Sequence, residues 1–314
     1  MTTPRFPFSF HAWRLAPALL AAAWLSACGG GDKESIVPTV SSATARPAGN
    51  LGSGDGTGTY GQKVLITVNG NALDNGITVV SSACTGMTRL TAAPTESTAT
   101  TAYYDCTITT SGTVQVGILR DVSGFVMATV PIAVPDPQVT LRIGRGTSAL
   151  GDVVLTLNPT RTPVTVSNFM DYVRSGFYVG TVFHRHSPNF VIQGGGYAGP
   201  LDPGNTSPTL KATNAAIVLE DGSGVLNRQG TVAMARTNAP NSATSQFFFN
   251  LVDNAFLDRT PMARGFAVFA TVTTGADVIT AMRAATCVPY TALLPAGDCL
   301  PQPNLIVNAA TQTR

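Results

Sequence analysis

Short segments whose residues alternate with a period of two recur along this chain and limit what it can fold into. Glycine, asparagine, aspartate and serine separate them. Such segments are found at residues 64–68, 103–109 and 114–118. A period of two places successive side chains on opposite faces of a strand. Two other stretches, 163–174 and 276–285, have helical spacing instead. The sequence therefore predicts a mainly β protein with two helices.

A boundary divides the alternating segments into two groups. Val134-Pro135-Asp136-Pro137 is stiff and cannot supply a regular ladder of hydrogen bonds. Residues 59–135 are predicted to form a small immunoglobulin-like β-sandwich, because they combine several strands with almost no helical periodicity. The sequence of this domain contains no recognisable group of catalytic residues, and the domain is interpreted as a spacer or binding module. The second domain is predicted at 138–310.

The second domain has more strands and both helices. Many strands with two helices predict a closed, helix-capped barrel. Its strands are predicted at 139–143, 152–157, 181–184, 190–193, 231–235, 245–250 and 267–271.

The N-terminus has the pattern of a secretory signal at residues 1–27. Arg5 and Arg14 precede an apolar run at 15–25, and that run is far shorter than the roughly 20 residues of a membrane-spanning helix. The signal ends in a sequence that resembles the bacterial lipobox, which implies that Cys28 carries a lipid. Residues 28–58 are poor in large apolar side chains and are predicted to be a lipidated flexible linker.

Setting Cys28 aside, four cysteines form two local pairs, Cys84 with Cys106 and Cys287 with Cys299. An oxidising compartment would join both pairs as disulfides. A metal site is the alternative, but neither pair has the close spacing of zinc ligands, and we expect no metal.

The charge of the chain argues against a nucleic-acid partner. The whole chain has 19 basic and 17 acidic residues. Removal of Arg5 and Arg14 with the signal would leave 17 of each, and no basic cluster is present.

Two segments stand out in the second domain, 183–195 and 234–250. The first contains Phe183-His184-Arg185-His186 and ends in Gln193-Gly194-Gly195, and the second contains Ser245-Gln246-Phe247-Phe248-Phe249-Asn250. With 163–169 and 254–258, these motifs resemble the cyclophilin-type peptidyl-prolyl cis-trans isomerases over about residues 151–272. The resemblance implies a closed eight-stranded antiparallel barrel capped by two helices.

An isomerase of X-Pro bonds must favour the twisted amide, whose resonance barrier is about 18–20 kcal/mol. The resemblance assigns Arg185 as the catalytic cation, since a guanidinium can donate to the prolyl nitrogen as its lone pair localises. No cofactor is expected. The implied substrate-binding residues are Phe190, Val191, Gln193, Ala235, Arg236, Gln246, Phe248, Phe256, Leu257 and Phe266.

Three positions depart from the family's usual residues. Val191 stands where methionine is commoner, so we expect an altered fit but retained activity. Phe256 and Phe266 stand where eukaryotic members have tryptophan and histidine, which implies weak cyclosporin binding. His184 and Asp258 are interpreted as structural, because isomerisation transfers no proton.

We therefore expect a monomeric isomerase that acts on proline-containing protein or peptide clients in the periplasm, anchored to the outer membrane through Cys28. The alternative is a proline-peptide binding or chaperone module with incidental catalysis, in which the sandwich makes the relevant contact.

Overall fold

The computed structural model describes residues 37–48, 55–121 and 123–314. Within them, no helix is both long and apolar enough to cross a membrane. The predicted signal and Cys28 lie outside the described residues.

Seven antiparallel strands precede the Pro135–Pro137 boundary. They form a four-stranded sheet in the order β1-β2-β5-β4 and a three-stranded sheet in the order β3-β6-β7. Alternate residues of β5 are buried, because one face of its sheet packs on the core. The strands are β1 (Thr39–Pro47), β2 (Lys63–Asn71), β3 (Ile77–Val80), β4 (Cys84–Arg89), β5 (Thr101–Ile108), β6 (Gly112–Arg120) and β7 (Val126–Val134).

Strand β1 corrects the predicted linker at 28–58, which is wrong over Thr39–Pro47. This segment pairs with β2 along its length, with Ala43 opposite Val68 and Ala45 opposite Ile66. Its inward side chains are small, so their burial leaves little hydrophobic signal in the sequence. The ladder hydrogen bonds, which depend on a partner strand far along the chain, define this strand.

The predicted disulfide between Cys84 and Cys106 is present and joins β4 to β5. The second predicted disulfide, between Cys287 and Cys299, joins the last two short strands before the C-terminal strand. Both local cysteine pairs are therefore confirmed.

The remaining strands form one ten-stranded sheet in the order β15-β16-β10-β11-β13-β12-β14-β9-β8-β17. Its neighbouring strands are antiparallel. The elements are β8 (Gln138–Arg145), β9 (Ser148–Leu157), α1 (Pro163–Arg174), β10 (Arg185–Ser187), β11 (Val191–Gly194), β12 (Thr231–Met234), β13 (Phe247–Asn250), β14 (Val268–Thr274), α2 (Ala276–Arg283), β15 (Cys287–Pro289), β16 (Cys299–Pro301) and β17 (Leu305–Gln312).

Mainly β architecture with two helices is confirmed, but a closed eight-stranded barrel is not found among the described residues. The hairpin β15–β16 extends the sheet beyond β10. At the other end, β17 meets the segment before β10 only through an isolated bridge, Val182 with Ile306, and a few backbone hydrogen bonds such as Phe183 N–H to Leu305 O at 2.9 Å. The predicted strand at 181–184 is accordingly two isolated bridges, because Thr181 pairs instead with Ala198.

Helix α1 packs its predicted apolar face against the inner face of the large sheet. Phe169 is fully buried, and its ring centroid lies 5.6 Å from that of Phe247 and 4.9 Å from that of Phe269. The Glu220 carboxylate accepts hydrogen bonds from the backbone N–H groups of Val164 and Thr165, at 3.1 and 2.8 Å. This satisfies donors that the first turn of a helix leaves unpaired.

Candidate functional site

The outer face of the large sheet carries a row of side chains that the strand register brings side by side. Arg185 on β10 lies opposite Gln193 on β11, Gln193 lies opposite Phe248 on β13, and Phe248 lies opposite Ala233 on β12. Directly opposed residues share a face of an antiparallel sheet. Their sequence neighbours, such as Ile192, point into the core.

A tight turn sets this register. Phe190 N–H donates to Ser187 O at 3.1 Å, and Pro188 and Asn189 occupy the two central positions. Asn189 has φ of 56°. Proline followed by a residue with positive φ is typical of a type II turn. The turn therefore pairs Ser187 with Val191, and Arg185 lies opposite Gln193 two positions further along the strands.

The guanidinium of Arg185 is held at two of its nitrogens. Its Nε donates to Asp298 Oδ2 at 2.5 Å, and its Nη1 donates to Gln193 Oε1 at 3.2 Å. Gln193 in turn donates from Nε2 to Gln246 Oε1 at 2.8 Å. The Arg185 Cζ also lies 5.8 Å from the ring centroid of Phe190. A polar chain of four side chains thus crosses the site.

An apolar cluster lies next to this polar chain. It is separate from the main core and is built on Val191, Ala233, Phe248, Leu257 and Val268, with Phe190 and Phe266 packed against it. The Phe248 and Phe266 rings meet edge to face at 5.7 Å. A cavity of about 380 Å³ opens over the cluster and is lined by nine of the ten predicted substrate-binding residues together with Arg185.

Phe256 is the predicted residue that does not line the cavity. Its side chain is 73% exposed and stacks on Phe190, with ring centroids 5.3 Å apart. It stands on a 3₁₀ turn, Ala255–Leu257, in which Leu257 is buried and Phe256 is exposed.

Arg236 lines the cavity, but its nitrogens bond to backbone carbonyls. Nε donates to Gly265 O, Nη1 to Thr237 O and Nη2 to Arg264 O, at 2.9–3.1 Å. Its Cζ lies 4.5 Å from the ring centroid of Phe266. The two arginines of the cavity therefore differ. All three side-chain nitrogens of Arg236 bond to the backbone of the cavity wall, whereas no described residue pairs with Nη2 of Arg185.

His184 precedes Arg185 and also lines the cavity, but only 3% of its surface is exposed. Burial, with a smaller contribution from the charge of Arg185, lowers the pKa of His184 to about 4. The imidazole is therefore neutral at neutral pH, and its ring packs on Tyr197 at 4.8 Å. Asp258 accepts hydrogen bonds from the backbone and side chain of Asn227, at 2.7 and 2.9 Å, and so anchors a turn.

One wall of the cavity was not predicted. Leu293, Leu294 and Pro295 line it, and Tyr197 lies beside them. The three belong to the segment that the Cys287–Cys299 disulfide closes, as does Asp298. The local cysteine pair predicted the disulfide that closes this segment, but no signal in the sequence indicated where the segment packs.

His186 and the two cysteines of this disulfide bring three potential metal ligands within 4.8 Å of one another. The two sulfurs are bonded to each other, so neither is a thiolate ligand. Burial, the main cause, lowers the pKa of His186.

Comparison with known proteins agrees with this geometry. The family model described as cyclophilin type peptidyl-prolyl cis-trans isomerase/CLD matches residues 140–294. The chain is 50% identical over 139 residues to peptidyl-prolyl cis-trans isomerase cyp18 of Streptomyces antibioticus, covering 43% of this chain and 80% of that protein.

Two further relatives are similar over a comparable number of residues. Peptidyl-prolyl cis-trans isomerase B of Escherichia coli (strain K12) is 47% identical over 132 residues, which is 41% of this chain and 76% of the relative. Peptidyl-prolyl cis-trans isomerase A of Dickeya dadantii (strain 3937) is 46% identical over 132 residues, which is 42% of this chain and 66% of the relative. The family expected from the motifs is confirmed: the chain belongs to the cyclophilin-type peptidyl-prolyl cis-trans isomerases.

Proposed function

We propose that this protein interconverts the cis and trans forms of X-Pro bonds in unfolded or flexible protein segments, with Arg185 as its catalytic residue. The proposal rests on the position of the Arg185 guanidinium next to an apolar cluster. Hydrogen bonds from Nε and Nη1 hold this guanidinium and thereby orient Nη2. Uncatalysed isomerisation takes tens to hundreds of seconds, so a catalyst has a use in protein folding.

The chemistry requires two things from the site. Rotation about the X-Pro bond breaks amide resonance, and the prolyl nitrogen becomes pyramidal and basic as its lone pair localises. A donor that reaches this nitrogen only in the twisted state stabilises the transition state more than the ground state. Arg185 Nη2 supplies that donor, and no proton is transferred.

The apolar cluster supplies the second requirement, a receptacle for the proline ring. Val191, Phe248 and Leu257 are each less than 10% exposed and present carbon surface beside Arg185. Gln193 and Gln246 offer amide groups to the backbone of the client on the same face. Gln193 therefore both holds Arg185 and borders the substrate.

The test is the rate of cis–trans exchange of an Ala-Pro peptide, measured by NMR with the full chain, for wild type, Arg185→Ala and Arg185→Lys. Loss of one transition-state donor predicts a fall in kcat of about 100-fold for Arg185→Ala. Lysine keeps the charge but loses the fork, so Arg185→Lys should recover only part of the rate. Arg142→Ala, which removes an exposed arginine paired with Asp152, is the matched control and should be unchanged.

Binding of the same peptide distinguishes the alternative function. A folded wild-type protein that binds the peptide without accelerating its exchange would be a proline-binding or chaperone module. Acceleration that survives Arg185→Ala would remove Arg185 from the mechanism.

We infer that residues 39–134 form an immunoglobulin-like sandwich ahead of the isomerase domain. The inference is supported by the two sheet orders, β1-β2-β5-β4 and β3-β6-β7, which correspond to the A-B-E-D and C-F-G orders of such sandwiches. The disulfide differs from that of antibody domains, since it joins neighbouring strands of one sheet and not the two sheets. A spacer or client-binding role fits this part of the chain.

We also propose that the protein works in the cell envelope, held to the outer membrane by a lipid on Cys28. Two disulfides support an oxidising compartment. Fractionation of cells that express wild type or Cys28→Ser tests the anchor: only the wild type should be recovered with the outer membrane.

A further inference from the structure

The disulfide hairpin, residues 287–301, is docked beside the catalytic arginine and does not project into solvent. Its strand β16 pairs with β10 at Cys299 and His186, one residue from Arg185. Leu294 and Leu300 are buried in a second apolar cluster with Val182. The hairpin is therefore a fixed wall of the cavity, closed at its base by the Cys287–Cys299 disulfide.

Asp298, the last residue before Cys299, aims its carboxylate at Arg185. The Oδ2–Nε distance is 2.5 Å, and the side chains of Asp298 and Arg185 are 8% and 27% exposed. Ion pairs on the protein surface are screened by water and do not keep a fixed geometry. This pair is largely shielded, so its geometry is maintained.

The contact fixes which nitrogen of Arg185 meets the substrate. Asp298 takes Nε and Gln193 takes Nη1, from opposite ends of the fork. A planar guanidinium gripped at both points cannot rotate about its own axis. Nη2, which has no partner among the described residues, is left to face the prolyl nitrogen.

The carboxylate has two opposing effects on the catalyst. It offsets part of the positive charge that stabilises the prolyl lone pair, and it fixes the orientation of the donor. Displacement of a catalytic group by about 1 Å costs up to about 100-fold in rate. Nη2 keeps its N–H donor whether or not a carboxylate lies at Nε. The gain in rate from a fixed orientation of this donor therefore outweighs the loss from the partly offset positive charge.

We propose that Asp298 is a positioning residue that orients the Arg185 guanidinium for catalysis, and that the disulfide hairpin serves to deliver it. This inference rests on the proposed isomerase function of the same cavity. It adds to the active site Asp298, which lies just beyond residues 140–294, the part of the chain that the family model matches.

The test compares Asp298→Ala and Asp298→Asn with wild type in the Ala-Pro exchange assay, using the full chain. Alanine removes the grip on Nε, so we expect kcat to fall about tenfold while KM changes less than about twofold. Asparagine keeps an oxygen acceptor in the same place without the charge, so we expect kcat within about threefold of wild type. Asp152→Ala, which breaks the exposed pair with Arg142, is the control and should leave both parameters unchanged.

A readout independent of turnover is the NMR signal of the Arg185 Nε–H group. Its exchange with water should be slow in wild type and Asp298→Asn, and fast in Asp298→Ala, with equal melting temperatures. An Asp298→Ala protein with wild-type or higher kcat and unchanged exchange of this proton would overturn the inference. A wild type that does not accelerate prolyl exchange would instead overturn the proposed function, and the Nε–H signal would still decide whether Asp298 holds Arg185.

Discussion

The sheets of residues 39–134 and the large sheet of residues 138–312 each contain one disulfide, and the two bonds do different things. Cys84–Cys106 joins the adjacent strands β4 and β5 of the four-stranded sheet. Cys287–Cys299 closes the hairpin that lines the cavity. Loop lengths of 22 and 12 residues predict similar entropic stabilisation, about 3 kcal/mol each. The comparison teaches that the role of a cross-link depends on what its loop carries.

Removing each disulfide separately is the strongest way to break this comparison. Cys84→Ala/Cys106→Ala and Cys287→Ala/Cys299→Ala should each lower the free energy of unfolding by about 3 kcal/mol, measured by urea denaturation. Only Cys287→Ala/Cys299→Ala should also lower kcat in the prolyl exchange assay, by about tenfold, because Asp298 then loses its fixed position.

Assays run at low temperature and without urea keep both variants folded, which far-UV circular dichroism verifies. Equal losses of kcat in both variants, or no loss in either, would show that the hairpin disulfide has no special connection to catalysis.

A smaller difference between the regions concerns acid. Residues 39–134 contain no histidine, whereas His184 lies buried immediately before β10 with its pKa lowered to about 4. The unfolded chain binds a proton at this residue near pH 6.5, and the folded protein does not. Stability is therefore lost as pH falls from about 6.5 towards 4, because the unfolded state binds more protons in that window.

Linkage gives the size of this effect. Between about pH 7.5 and 5, wild type should lose about 2 kcal/mol of stability that His184→Gln does not lose. Urea denaturation of both proteins at the two pH values measures the difference. The lowered pKa of His186 is shared by both proteins and cancels. Parallel pH dependences would mean that His184 is protonated without cost in the folded state.

The structure brings most of the predicted site residues to one cavity, whereas the fold around them departs from the prediction in several places. Arg185, Gln193 and Phe248 lie in motifs whose alternation fixes their face once the strands are placed, and the structure brings them together. Helix α1 was predicted at its observed bounds, because Pro163 starts it and its apolar spacing is regular.

The features that the sequence did not predict depend on partners far along the chain. Strand β1 has small inward side chains, and its backbone hydrogen bonds with β2 define it as a strand. Asp298 lies 113 residues from Arg185, and nothing in its neighbours reveals that contact. The barrel expected from the family is not closed by a ladder, because β17 meets Val182 at a single bridge.

The smallest expected effect compares one exposed aromatic residue in each region. Phe256 is 73% exposed and stacks on Phe190 at the rim of the cavity, and Phe125 is 62% exposed beneath Arg120 in the first region. Phe256→Ala should raise KM about two- to threefold, which corresponds to about 0.5 kcal/mol of lost contact. Its kcat should stay within about twofold, because Asp298 and Gln193 still hold Arg185.

Phe125→Ala is the matched control, since it removes a similarly exposed ring that does not line the cavity, and both kinetic parameters should be unchanged. A tenfold fall in kcat for Phe256→Ala would place this ring against the reacting bond. An unchanged KM would remove it from the client surface. Either result would redraw the edge of the site, because the stack on Phe190 is the contact through which Phe256 reaches the cavity.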